Sequence, residues 1–145
     1  MPAPLRQLVY GSSFPGLTPD DELVRILRVS RRNNTAVGVT GALLYIDGNY
    51  MQVLEGPPAA VEGVYRRVCR DPRHRGVLTL LDTSPAERSF PDWSMGFVAP
   101  ADLSAEDRQA ARSLHEMTEP SPGAARRLLA TFRALMPGVR TVARV

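Results

Sequence analysis

A chain of 145 residues with 43% hydrophobic content has enough apolar mass for one compact core, and no break in composition marks a second domain. Its apolar stretches, such as Gly41 to Ile46 and Val77 to Leu81, fall far short of the roughly 20 residues a membrane span needs, so no membrane protein is expected. The formal charge of +3 rests wholly on scattered arginines, without a single lysine, which argues against the one-sided basic face of a nucleic-acid binder.

The segment Met1 to Arg6 has no basic region followed by an apolar stretch and cleavage site, so cytoplasmic residence is expected. The single Cys69 has no disulfide partner and falls at an apolar-periodic helix position, where a buried core thiol is expected. His74 and His115 lie far apart and without carboxylates at ligand spacing, so no metal site is expected.

In chain order, Leu5 to Ser12 alternates partly and ends in Gly11-Ser12, which predicts a first strand. Past the loop Phe14-Pro15-Gly16, Thr18 is a capping residue, Pro19 suits the first helical position, and Asp20, Asp21 and Glu22 favour the positive end of a helix dipole. Leu23, Ile26, Leu27 and Ser30 share one face of this first helix, and the pattern stops near Asn33-Asn34, a common helix-ending pair. Gly41 to Ile46 and Asn49 to Glu55 predict two strands joined by Asp47-Gly48 as a two-residue hairpin.

Gly56-Pro57-Pro58 opens a second helix with Val61, Val64, Tyr65 and Val68 on one face, and Asp71-Pro72 closes it. Val77 to Asp82 predicts a fourth strand and Trp93 to Val98 a fifth, separated by a loop from Thr83 to Asp92. Two amphipathic helices follow, one capped by Ser104 and one spanning about Ala124 to Met136, with Glu119-Pro120-Ser121-Pro122-Gly123 between them.

The order β-α-β-β-α-β predicts an α+β, ferredoxin-like sheet with both helices on one face under the right-handed crossover rule, extended by the fifth strand and two C-terminal capping helices. Residues 1–100 form the core, and 101–145 a helical extension of the same domain that caps the free sheet face or makes an oligomer contact. Strands one and three are neighbours in this topology, which brings Tyr10 and Gln52 close together on one side.

Six motifs then stand in order: Leu-Val-Tyr10-Gly-Ser, Ser30-Arg-Arg-Asn33-Asn34, Gly38-Val-Thr-Gly41, Met51-Gln52-Val-Leu-Glu55-Gly56, Asp71-Pro-Arg-His74 and Trp93-Ser-Met95-Gly. Together they resemble the motifs of the BLUF (blue light using flavin) photoreceptors, from about Leu5 to Val98. The resemblance implies a non-covalent flavin, FAD or alternatively FMN, between the two helices, with its ring over the sheet. Ile26, Leu27 and Val64 would give aliphatic walls, and Asn34 the donor and acceptor for the polar ring edge. Asn33, Arg67 and Asp71 resemble its companions, the acid orienting the guanidinium four residues away.

Tyr10 and Gln52 resemble the photoactive pair, phenol supplying electron and proton and the amide relaying them and then switching its hydrogen bonds. Ser30 would support Gln52, while Trp93 and Met95, alternating on the fifth strand, resemble the output element. The function implied is photosensory signalling without substrate turnover, through a separate downstream protein or altered self-association, a homo-oligomer being expected.

Taken singly, the same residues have plainer readings: Asn33-Asn34 as a helix cap and turn, Arg67 with Asp71 as a surface ion pair, Ser30 as a backbone-bonding cap. Two other functions stay open. One is a small enzyme gripping a phosphate ester with Arg73-His74-Arg75, which lacks a credible catalytic partner; the other is a flavin-free oligomerisation module.

Overall fold

The computed structural model describes residues 4–13, 21–46, 48–91, 95–98, 101, 103–114, 123, 126–127 and 129–130. Among them run β1 (Arg6–Ser13), α1 (Asp21–Val37), β2 (Thr40–Ile46), β3 (Asn49–Gly56), α2 (Pro58–Arg70), β4 (Arg75–Thr83), β5 (Gly96–Val98) and α3 (Ala105–Leu114). The expected Thr18-Pro19 helix start, Asp47, Trp93, His115 and most of the last helix lie outside the described residues.

The strands form one sheet in the order β4-β1-β3-β2-β5, antiparallel except for the parallel edge pair β2–β5. This is the ferredoxin-like α+β arrangement with an added fifth strand. Period-two alternation splits its side chains into two cores. Leu8, Tyr10, Leu43, Tyr50 and Leu54 join Leu27 of α1 and Val61 of α2 on one face. Val9, Ala42, Leu44, Ile46, Met51 and Val53 form the other, which Phe90 and Leu103 close and Leu129 packs against. Leu80 and Leu81 both point to that second face because the β1–β4 register shifts between Val9 and Tyr10, which inserts one extra residue into β4.

Three local features differ from the sequence reading. The first helix does not stop at Asn33-Asn34 but runs through them to Val37, where Gly38 at φ 74° ends it. Cys69, expected in the core, is exposed. The fifth strand is three residues long, so Met95 stands just before it rather than within it. Gly48 between β2 and β3 does stand at φ 81°, and Ser104 caps α3, its Oγ accepting the Asp107 N–H at 3.0 Å.

Arg6 ties α2 to the sheet, its guanidinium reaching Glu62 of α2 at 2.5 Å and Asp82 of β4 at 2.8 Å. No helix among the described residues is long and apolar enough to cross a membrane.

The tightest backbone approach lies at Gly41 in β2, where a Cβ would sit 1.8 Å from the Val53 carbonyl oxygen of β3. No side-chain rotation relieves a clash with backbone. Gly41→Ala is therefore expected to lower stability by more than about 3 kcal/mol, read from the urea midpoint. A variant as stable as the parent would show that β2 and β3 can separate without cost.

Candidate functional site

Tyr10 of β1 and Gln52 of β3 are directly opposed in the sheet register and point to the helical face. The Tyr10 hydroxyl donates a short hydrogen bond to Gln52 Oε1, and Gln52 Nε2 donates to Met95 Sδ at 3.3 Å. All three side chains are buried, at 0%, 3% and 1% exposure. This chain has a direction: a thioether can only accept, so the NH2 end of the amide belongs on Met95 and the carbonyl end on the phenol. From α1, Arg31 Nε donates to the Met95 carbonyl oxygen at 3.0 Å and holds that residue in place.

Gln52 forms part of the floor of a cleft of about 150 Å³ between α1 and α2. The α1 wall is Ile26, Val29, Ser30, Asn33 and Asn34, and the opposite wall is Val64, Arg67 and Val68 of α2 with Asp71 just past its end. Aliphatic sides with carboxamides at one end suit a flat ring system with a polar edge. The volume is below the roughly 300–1,000 Å³ of pockets that engulf a whole ligand, so a large molecule would insert its ring and leave the rest at the mouth. Asn34, 2% exposed, is the innermost polar group of the α1 wall.

Most of the predicted cofactor residues thus meet in one cleft. Leu27 does not line it; the side chain is turned onto the sheet and fully buried in the core, one helical step from Ile26. The pairing expected of Asp71 also differs. Its carboxylate is held by Arg73, with Nε at 3.0 Å and Nη2 at 2.7 Å, and the Arg73 guanidinium keeps it below the usual carboxylate range. Arg67 lines the cleft as an exposed cation. The Arg73-His74-Arg75 run does not converge on one anion, because Arg73 is engaged by Asp71 while His74 Nδ1 turns to Ser12 Oγ at 2.7 Å.

A family model described as sensors of blue-light using FAD, BLUF, matches residues 5–96. The chain belongs to the BLUF family. It is 33% identical to the dark-state structure of the BLUF protein BlrB, covering 91% of this chain and 97% of that one with a TM-score of 0.75. It is 36% identical over 85 residues to the blue light- and temperature-regulated antirepressor BluF of Escherichia coli. It is also 37% identical over 75 residues to the photoactivated adenylate cyclase subunit beta of Euglena longa. The chain spans 21% of the first of these curated relatives and 9% of the second. BLUF domains bind flavin, and the cleft's apolar walls and carboxamide end fit that group.

Around Tyr10 and Gln52 of this BLUF chain stands an aromatic shell that the sequence reading did not single out. The Tyr50 ring lies 6.2 Å from Tyr10 at 25° and meets the His74 ring edge-on at 4.7 Å. Tyr65 of α2 lies 5.4 Å from Tyr10, and its hydroxyl is 2.7 Å from Thr79 Oγ1. Strand alternation alone puts Tyr50 on the face of Gln52, two residues on, and was the available signal. His74 is half-buried, and this partial burial lowers its pKa and favours the neutral ring.

Burial pushes the Tyr10 phenol well above its ordinary value and Tyr50 upward too. Above the unfolded phenol value of about 10 the unfolded chain sheds these protons while the folded chain keeps them. Stability from this source is full below about pH 10 and is lost as pH rises past it. The chain has no lysine to titrate in the same window. Urea midpoints should therefore fall from about pH 10 upward, and Tyr50→Phe should flatten the fall. An unchanged slope in that variant would mean Tyr50 ionises normally.

Proposed function

We propose that this chain is a blue-light photoreceptor that holds one flavin non-covalently in the α1–α2 cleft and uses Tyr10, Gln52 and Met95 as its switch. The observation that carries the reading is the buried hydrogen-bonded chain from Tyr10 through Gln52 to Met95, with Gln52 lining the cleft. A bound flavin supplies blue-light absorption and an oxidising excited state. FAD is the proposed form, with FMN an acceptable substitute because the cleft encloses only a ring.

Tyr10 gives up an electron and its phenolic proton, the proton passing by way of the Gln52 amide. A phenol suits this role because it carries its proton at neutral pH, and burial reinforces that here. When both particles return to Tyr10, Gln52 is left rotated or tautomerised. The NH2 end then no longer faces Met95, and the thioether loses its donor. A buried hydrogen bond lost or misdirected is worth about 1–3 kcal/mol, enough to change the balance between two arrangements of Met95 by about 5- to 150-fold. Asn34, with Asn33, Arg67 and Asp71 nearer the mouth, positions the ring; Ser30 lines the same wall.

Trp93, two residues before Met95, is proposed to share the output role. The signal passes to a separate protein or into altered self-association in the cytoplasm, with no substrate turned over by this chain. Residues 101–145 act as an extension of the same domain. Leu103 and Leu129, packed on the sheet face away from the cleft, support this.

Blue light should shift the flavin absorption band reversibly to the red without covalent adduct, since Cys69 is not among the residues lining the cleft. Tyr10→Phe and Gln52→Leu should each keep flavin and lose the shift, as read by absorption before and after illumination. A normal photocycle in either variant would sink the mechanism. Asn34→Ala should instead reduce the flavin retained through purification, and full occupancy in that variant would remove Asn34 from the binding site.

A further inference from the structure

Glu55 lies three residues beyond Gln52 on β3, its side chain on the opposite sheet face, and is completely buried. Its carboxylate accepts hydrogen bonds from Gln7 Nε2 at 2.8 Å, the Ser89 N–H at 2.8 Å and the Phe90 N–H at 2.7 Å. Both oxygens are used, and two of the three donors are backbone amides of the loop after β4, which pair with no strand among the described residues. A carboxylate meets such amides better than any neutral side chain.

The neighbouring Arg88 reinforces the grip, its guanidinium donating to the Gly38 carbonyl at 2.8 Å and Thr40 Oγ1 at 2.9 Å. Phe90, held in this way, is fully buried in the core on that face. Met95 follows five residues later, in the other core and against Gln52. Five residues reach at most about 18 Å, so the place of Phe90 restricts the place of Met95.

We propose that Glu55 is a positioning residue of the switch: it couples Gln52, through β3, to the Arg88–Phe90 loop on the far face of the sheet. The inference rests on the photoreceptor reading above. The two side chains share one strand, and the loop that Glu55 holds leads to the residue that Gln52 touches. A change at Gln52 therefore reaches the Ser89 and Phe90 amides along β3 through Glu55. The loop also borders a groove of about 490 Å³ lined by Gln7, Arg88, Ser89, Arg126 and Leu129, so the change ends at a surface.

The test follows amide exchange at Ser89 and Phe90 by NMR in flavin-loaded protein, dark and under blue light, beside the dark-recovery rate of Glu55→Gln. Illumination should speed exchange at both amides by roughly fivefold or more, with the β1–β4 amides of Leu8 and Leu81 unchanged. Glu55→Gln should keep flavin and the red shift yet change the recovery rate by roughly fivefold or more, since its NH2 group opposes a donor N–H. A purely structural Glu55 would leave recovery at the parental rate and exchange equal in dark and light. That result, with the red shift present, overturns the proposal while leaving the photoreceptor reading intact. Absence of the red shift in the parent overturns both, and if Glu55→Gln fails to fold, the parental exchange rates decide alone.

Discussion

The pairing of β1 with β3 is the constraint from which the site follows. Tyr10 meets Gln52 because these strands run antiparallel in one register, with Arg6 opposite Gly56 at one end and Ser13 opposite Asn49 at the other. Side chains alternate with period two, so a slip of one residue would send Gln52 to the face of Met51 and Val53 and leave Tyr10 against an aliphatic neighbour. The register is held on both sides of β3. Close packing at Gly41 binds it to β2, and the two apolar faces reject any shift that exchanges them.

The two sheet faces differ in their buried polar chemistry. On the helical face the polar groups are neutral, a phenol and a carboxamide, and each can donate or accept. On the other face the central polar group is a carboxylate that can only accept when ionised, surrounded by donors. The first arrangement is reversible by rotating one amide; the second has a single satisfied form. The neutral pair and the carboxylate anchor stand three residues apart on one strand, a division of roles that suits the switch proposed above.

Much of this was legible from residue order. Alternation and turn chemistry located β1 to β4 and both helices, and the split β-α-β topology placed Tyr10 next to Gln52. Local signals failed where tertiary contacts decide. Asn33-Asn34 reads as a helix end by propensity, yet the helix continues to Val37 with Asn34 buried and its carbonyl accepting the Val39 N–H at 2.9 Å. Asp71 was assigned to Arg67 by helical spacing, but α2 ends at Arg70, so Asp71 has left helical geometry and meets Arg73 instead. Cys69 fitted an apolar pattern whose stripe was one position too wide. The anchoring role of Glu55 had no local signal, because two of its three donors are backbone amides of a loop 34 and 35 residues away.

The placement of β1 also governs how the molecule comes into being. It leaves the ribosome before its two partners, yet occupies an inner position in the sheet between β3 and β4. The phenol and amide of the pair are 42 residues apart in sequence. Loop-closure entropy must therefore be met before β1 gains any sheet neighbour, and such long-range pairing is slow relative to helix formation. The cleft between the helices exists only once that closure is complete. A cofactor that recognises the finished cleft binds the native state alone and deepens it by mass action, so its supply during synthesis would set the yield of folded protein.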